Sequence, residues 1–440
     1  MNDSCIHMTD TSTYDIAVIG GGASGMVAAI QAKKYASAIA CKPLRVAIFE
    51  KNERMGKKLL MTGNGRCNLL NTDTDPGHFH GSDVSFCYSA LQKYSSAEIL
   101  SFFEEIGVIC TEENGKIFPV SFHAGSVLDS LRLLISDLGV QIHTGANVRR
   151  ITKSDQQFRI ILDDGKEYFT TAVIIATGGK SAPSTGSDGS GYDLLTGFSH
   201  HLIPPLPSIV QLKTDTSFCK PLSGNKIMGE ATLTIDDLVI KKERGDILFT
   251  DYGLSGPPIL QLSGYVARAL YEDQRMNRFR NVSICIDFLP DIPLDRICAM
   301  LTARKEKYPN RRLEDFLTGL FHKRLAVGLL RQVTDKSLSA HVSSFSDREM
   351  LDLADRCKAL AIRVTGTMSF ANAQTTAGGI ATDQFDANTM SSGNAPGLFA
   401  SGEILDIDGD CGGYNLHWAW ASGFSAGISA AAYVTKVHAT

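Results

Sequence analysis

The chain contains no C-x-x-C pair. Its ten cysteines, at 5, 41, 67, 87, 110, 219, 285, 298, 357 and 411, are scattered. That spacing signals neither a zinc site nor a dithiol redox pair, and it suits the reduced thiols of a cytoplasmic protein. Strong charge of either sign is missing as well: a formal net charge of −4 over 440 residues gives no whole-chain reason to expect nucleic acid. The N-terminal MNDSCIHMTDTST lacks the apolar run of a signal peptide. Long apolar runs are rare. The one low-polarity stretch, 417–434, carries two tryptophans, a histidine and three serines, so a buried helix is preferred over a membrane span. Gly423 and Gly427 within it form G-x-x-x-G, which suits tight packing on a sheet.

What is present is ordinary globular material, 43% hydrophobic and 20% charged, long enough for two or three domains. The informative stretch is DIAVIGGGASG, 15–25. An apolar strand at 16–19 runs into Gly20, Gly22 and Gly25, and a small-residue helix follows, which is the G-x-G-x-x-G turn of a dinucleotide-binding βαβ unit. Gly20 permits the turn, Gly22 lets the backbone approach a pyrophosphate, and Gly25 lets helix and strand close up. The free N–H groups at the helix start then face phosphate. A second apolar strand, 44–49, ends in Glu50, placed to hold ribose hydroxyls. The interval from Gly25 to Glu50 is long, and an extra turn around 37–43 accounts for it.

Basic residues at 51, 54, 57, 58 and 66 lie among glycines just after Glu50. By itself this is a solvated loop; its position favours a loop folded over the cofactor, with lysines near phosphate and the 62–68 backbone near the ring system. Helices are expected at 95–107, capped by Ser95 or Ser96, and at 124–138. Strands are expected at 115–120, 140–143, 148–153, 158–162 and 168–171, then a return strand at 172–176 running into Thr177-Gly178-Gly179. An A-T-G-G at that point brings a two-dinucleotide-type flavoprotein back under its cofactor. The polar 181–191 is a surface loop, a second phosphate cradle or, as preferred, a loop lining the flavin or substrate pocket. Three prolines at 202–207 stiffen an exit. Short alternating strands over 208–289 suggest a β-barrel or β-sandwich insert. The stretch 293–344 turns helical and basic, with Lys305, Lys307, Arg311, Arg312, Lys323, Arg324 and Arg331; its aromatics are not interleaved as single-strand binding would want, so a solvated helical face is preferred to an anionic-ligand or nucleic-acid surface. Further on, Gly412-Gly413 opens the last helix and suits the pyrimidine side of a flavin, while Glu403 and Asp406 lie where a ribityl hydroxyl needs an acceptor.

Taken together, GGGASG (20–25), GNGRCN (63–68), ATGG (176–179), GSDGSGYDL (186–194), FTDYGLSGPPILQLS (249–263), TAGGI (376–380) and GEILDIDGDCGGYNL (402–416) resemble the HI0933-like flavoproteins, a family that includes the BaiN-type reductases. The resemblance runs nearly end to end. It implies an α/β fold: a FAD-binding Rossmann-like domain from 1–205 and 366–440, interrupted by a β-barrel insert over 206–290 that closes with about 345–365, and by a small helical subdomain at 291–344. It also implies FAD contacts at Gly20, Gly22, Ala23, Ser24 and Gly25, at Glu50 and Lys51, and at Lys58, Thr62, Gly63, Asn64, Gly65, Arg66, Cys67 and Asn68. Further contacts are implied at Val148, at Ala176, Thr177, Gly178 and Gly179, at Gly402, Glu403 and Asp406, and at Gly412, Gly413, Tyr414, Asn415 and Leu416. His417 departs from the family's usual glutamine, and Met61-Thr62 from its apolar-serine pair.

The expected activity is that of a FAD-dependent oxidoreductase passing hydride from flavin N5 to a C=C bond conjugated to a ketone of a small, largely apolar substrate. A protein acid would complete the saturation. Arg66, Cys67, Tyr414 and His417 lie in the right loops for that acid, yet each has a structural alternative. With a single complete G-x-G-x-x-G, NAD(P)H is expected as a transient donor. No nucleic-acid or membrane partner and no metal are expected. The alternatives are a flavin-dependent nucleic-acid-modifying enzyme, a non-catalytic flavin-binding protein and, against the missing C-x-x-C, a disulfide reductase.

Overall fold

The computed structural model describes residues 12–39 and 43–439. The polar N-terminal stretch, Cys5, Cys41 and part of the turn expected at 37–43 lie outside them. The chain divides into two compact units, 1–206 with 374–440, and 207–373.

The first unit is built on a seven-stranded sheet. Its first strand, β1 (Thr13–Ile19), is followed by helix α1 (Ala23–Ile39) and by β2 (Val46–Phe49). After these come β3 (Gln141–His143), β4 (Val148–Ser154), β5 (Gln157–Leu162), β6 (Glu167–Ile175) and, late in the chain, β7 (Leu398–Ala400). β3, β2, β1, β6 and β7 are parallel neighbours, while β5 and β4 continue the sheet antiparallel. β2 is buried along its whole length, as a strand covered on both faces must be. The residues expected as two strands at 168–171 and 172–176 form one. β6 pairs β1 from Phe169 onward, β5 along its first half and β7 along its last three residues. The long interval before β2 is taken up largely by α1 itself, which runs 17 residues.

The low-polarity C-terminal stretch is helix α2 (Tyr414–Ala439). Among the described residues no helix is long and apolar enough to cross a membrane. Its G-x-x-x-G seats it against a helix, where a sheet was expected: a Cβ on Gly423 would lie 2.5 Å from the Ser24 carbonyl oxygen, and one on Gly427 2.2 Å from that of Ala28. Small residues on both partners let the two backbones approach. The proline-rich 202–207, read as a stiffened exit, is the strand Leu202–Ser208, and the first segment of the first unit ends within it at Leu206.

The second unit has its own apolar core. Six strands close into a barrel in the order Leu212–Thr214, Gly253–Ser255, Leu238–Phe249, Lys226–Ile235, Val282–Asp287 and Leu360–Thr367, the last pairing back to the first. The reading of 208–289 as strands alone is corrected by the 20-residue helix Pro257–Met276. Its two prolines sit in the first turn, where no amide is needed, and Ile259, Leu262 and Val266 repeat on one buried face. The basic stretch is helical, and much of its charge is spent locally. Lys305 pairs with Asp347 at 2.8 Å, Arg312 and Lys323 share Glu314, and Arg311 lies 3.8 Å from the ring centroid of Tyr308.

Candidate active site

The carboxyl ends of β1, β2 and β6 open into a cleft wholly within the first unit. Ile19 and Gly20, Phe49 and Glu50, and Ala176 and Thr177 line it, the position at which open parallel sheets take their ligands. The three motif glycines have separate geometric duties. Gly20 has φ +106°, and its Cβ would lie 2.5 Å from the Ala176 carbonyl oxygen. A Cβ on Gly25 would lie 2.0 Å from the Gly20 carbonyl oxygen, so Gly25 closes helix on strand behind the cleft. A Cβ on Gly22 would meet nothing within 4 Å. Gly22 therefore leaves open room beside the first turn of α1, which contains no acidic side chain to oppose an anion.

Glu50 is buried and fixed at three points. Its Oε2 accepts from the Gly21 N–H at 2.8 Å, and its Oε1 from the Asn52 N–H at 2.8 Å and Asn52 Nδ2 at 2.7 Å. The basic run beyond it clasps the 181–190 loop. Lys51 meets Asp188 at 2.6 Å and Ser190, Asn52 Nδ2 donates to the Thr185 carbonyl, and Lys57 donates to the Ser184 carbonyl at 2.7 Å. Lys58 reaches Ser181 Oγ at 2.8 Å and Glu403 Oε2 at 2.6 Å. Glu403 Oε1 takes the remaining donors, Ser181 Oγ and the Thr376 N–H, each at 2.8 Å. Lysines expected near phosphate are thus engaged with protein groups along one flank of the cleft. The 181–191 loop lines that flank through Thr185, Gly186, Ser187, Ser190 and Gly191.

Gly20, Gly22, Ala23, Ser24, Glu50, Lys51, Lys58, Thr62, Val148, Ala176, Thr177, Gly178, Glu403, Asn415 and Leu416 all line the cleft. The others stand behind or beside it. Gly63, Asn64 and Gly65 make the sharp turn after Thr62, each with positive φ. Cys67 is buried in the left-handed region at φ +59°, and burial pushes its thiol up to about 12. Arg66 pairs with Glu113 and lies against Phe118 and Phe122. The buried Asn68 Oδ1 has no hydrogen-bond partner among the described residues. Gly179 packs on Thr376, Gly402 on Ser24, and Gly413 on the Leu70 backbone, while Gly412 takes φ +138°. Asp406 is buried and accepts from the Ser82 N–H at 2.8 Å. Tyr414 stacks on His78 at 4.3 Å, and burial raises its hydroxyl pKa. His417 bonds the Tyr94 carbonyl at 3.0 Å, and burial lowers its pKa. None of Arg66, Cys67, Tyr414 and His417 lines the cleft.

Sequence reasoning missed Asn52, Asn147, Gln374, Thr375 and Trp418, which also line it, as does Lys57 of the basic run it read as folded over the cofactor. Asn52 adjoins a residue it named, and Thr375 precedes TAGGI. Nothing local marks Asn147 or Trp418.

The HI0933-like protein Rossmann domain matches residues 14–429. This chain is an HI0933-like protein. The chain is 37% identical over 416 residues, 94% of its length and 98% of the relative's, to a 3-dehydro-bile acid delta(4,6)-reductase of Clostridium scindens. It is 29% identical to a ribosomal RNA dihydrouridine synthase of Haemophilus influenzae, covering 94% of this chain and 97% of that one. Among solved structures, a 3-ketosteroid-delta4-(5alpha)-dehydrogenase of Rhodococcus jostii aligns over 97% of this HI0933-like chain and 99% of its own, at 16% identity and a TM-score of 0.47. The cleft's own features fit a dinucleotide. There is open backbone at Gly22 against a helix start, a rigid carboxylate at the end of β2, and buried hydroxyls on Thr177 and Thr375 with no partner among the described residues.

Proposed function

We propose that this protein is a FAD-dependent oxidoreductase that reduces a C=C bond conjugated to the carbonyl of a small, largely apolar ketone. The likeness to the Clostridium scindens reductase, sustained over 94% of the chain, carries the reading. Bound and reduced, FAD supplies the hydride. The chain's own groups bind and orient it. The α1 amides beside Gly22 would hold the pyrophosphate, Glu50 would accept from the adenosine ribose hydroxyls, and Thr177 would offer a hydroxyl that has no partner among the described residues. The Lys58–Glu403 pair, with Ser181 and Thr376, ties the two chain segments of the cleft wall together so that the flank stays fixed. NAD(P)H is the proposed donor, visiting an open face because the chain carries one dinucleotide turn.

The purified, FAD-loaded protein is expected to turn over a steroid 4-en-3-one anaerobically with NADH or NADPH, each product molecule gaining two hydrogens. A flavin bleached by neither nicotinamide removes the donor. A dithionite-reduced flavin that is not reoxidised by the enone removes the reaction.

The 29% likeness to a ribosomal RNA dihydrouridine synthase supports a second reading. Uracil's C5=C6 bond is also conjugated to a carbonyl, so the same hydride chemistry would serve. Dihydrouridine appearing in ribosomal RNA incubated with the reduced protein, with no enone turnover, would select it.

A further inference from the structure

At one end of the barrel, within the second unit, two loops present large apolar side chains to solvent. Just past the hairpin turn at Asp236 and Asp237, Leu238 is 70% exposed, Val239 60% and Ile240 42%. At the end of the helix Pro257–Met276 and just beyond it, Met276 is 44% exposed and Phe279 93%. The two loops are neighbours. The Asp236 N–H donates to the Asn281 carbonyl at 3.0 Å, and the Asn281 N–H donates to Asp236 Oδ1 at 2.8 Å. Phe279 is held outward by its flanks. The Arg278 N–H donates to the Asp273 carbonyl at 2.8 Å and Arg280 Nε to the Asp273 carboxylate at 2.5 Å, so one buried residue ties down both sides of the ring. Most of the charge nearby is spent locally. Asp273 and Glu272 hold Arg280, while Glu243 and Glu230 pair with Lys241 and Lys242. Arg275 and Arg278 are exposed and form no ion pair among the described residues, which leaves two cations beside the apolar tips against the carboxylate of Asp237.

We propose that this end of the barrel docks on an anionic lipid bilayer, Phe279 and the Leu238–Ile240 tip entering among the headgroups and Arg275 and Arg278 meeting lipid phosphates. The contact is peripheral, since among the described residues no helix is long and apolar enough to cross a membrane. Apolar tips on two separate loops suit a fluid interface that closes around each of them. Single-stranded RNA would need rings to stack its bases, and Leu238, Val239, Ile240 and Met276 have none. A second copy related by a two-fold axis would bring the unpaired arginines of both chains together, like charge against like. At a bilayer the arginine stems lie along the apolar tips while the guanidinium groups reach phosphate. Each arginine close to an anionic surface is expected to tighten binding about fivefold.

The test measures co-sedimentation of the FAD-loaded full chain with phosphatidylcholine vesicles, made with and without phosphatidylglycerol. The wild type is expected to bind the mixed vesicles about fivefold or more tighter than pure phosphatidylcholine, and the double variant Arg275→Gln, Arg278→Gln to lose that preference. Phe279→Glu is expected to release the protein from both, with flavin content and melting temperature at wild-type values because the ring packs against so little of the protein. Phe279→Trp gives a direct readout. Trp418 and Trp420 are buried, so a blue shift of emission on adding mixed vesicles reports the new ring alone. Wild-type protein that stays in the supernatant, equal binding to the two lipid compositions, undiminished binding by Phe279→Glu, or no blue shift in Phe279→Trp overturns the proposal. So does a dimer, or a complex with ribosomal RNA, that Phe279→Glu breaks in protein that ignores vesicles, since the tips then belong to that partner. Each of these results leaves the enone-reductase reading standing.

Discussion

Lys58 Nζ lies 2.6 Å from Glu403 Oε2, joining residues 345 positions apart across the wall of the cleft. Neither side chain is more than about a quarter exposed, and Glu403 also accepts from Ser181 and Thr376. Removing the ammonium by Lys58→Met strands a half-buried carboxylate. The expected cost is about 2 kcal/mol of stability, together with faster loss of FAD. Thermal unfolding of flavin-free and flavin-loaded protein measures both, and an unchanged melting temperature in both states would show the pair to be incidental.

The glycine motif separates folding from binding. Gly25→Ala drives a methyl into the Gly20 carbonyl and is expected to destabilise the flavin-free protein by about 2 kcal/mol. Gly22→Ala meets no atom and is expected to leave the flavin-free melting temperature unchanged while weakening FAD retention. Chemical denaturation without FAD, set beside flavin content after gel filtration, checks the contrast. Equal stability losses in the two variants would contradict it.

His78 stands between Asp410 Oδ2 at 3.0 Å and Asp73 Oδ2 at 2.9 Å, and it stacks on Tyr414. Burial alone would lower its pKa. The two carboxylates outweigh that and raise it above the ordinary 6.5. A raised folded value means that the histidine's contribution to stability is complete below its unfolded value and is lost as pH climbs through the folded one. The melting temperature of the wild type should therefore fall more steeply between about pH 6 and about pH 8 than that of His78→Gln. Parallel curves for the two proteins would remove the clamp.

Cys67 is sealed in the core with its thiol pushed up to about 12, so almost no thiolate forms at neutral pH. Peptide mapping after brief iodoacetamide treatment is expected to find Cys67 unmodified in the native protein and modified after unfolding. Cys67→Ala should retain enone reduction. A burst of labelling at Cys67 in native protein would restore it as a candidate proton donor.

Local chemistry alone specifies much of this protein. A strand ending in spaced glycines needs positive φ at Gly20 and close approach at Gly25 wherever it is found, and an acid ending the next parallel strand must stand beside that turn. The parallel strands, the capped helix at Ser95 and the barrel's alternating strands likewise follow from patterns a few residues long. The 20-residue helix inside the barrel unit was hidden because its period-3.6 pattern sits among strand-like neighbours, and the partner of α2 was hidden because G-x-x-x-G fits a helix or a sheet equally well. Which way each loop residue faces could be settled only in three dimensions. Thr62 lines the cleft while Arg66, four positions on, turns to Phe118 and Phe122, because Gly63, Asn64 and Gly65 reverse the chain between them. Lys51, Lys57 and Lys58 were legible as cations, but the groups they hold come from 181–190 and from Glu403, and no spacing along the chain records a contact that exists only once both segments have folded onto the same sheet.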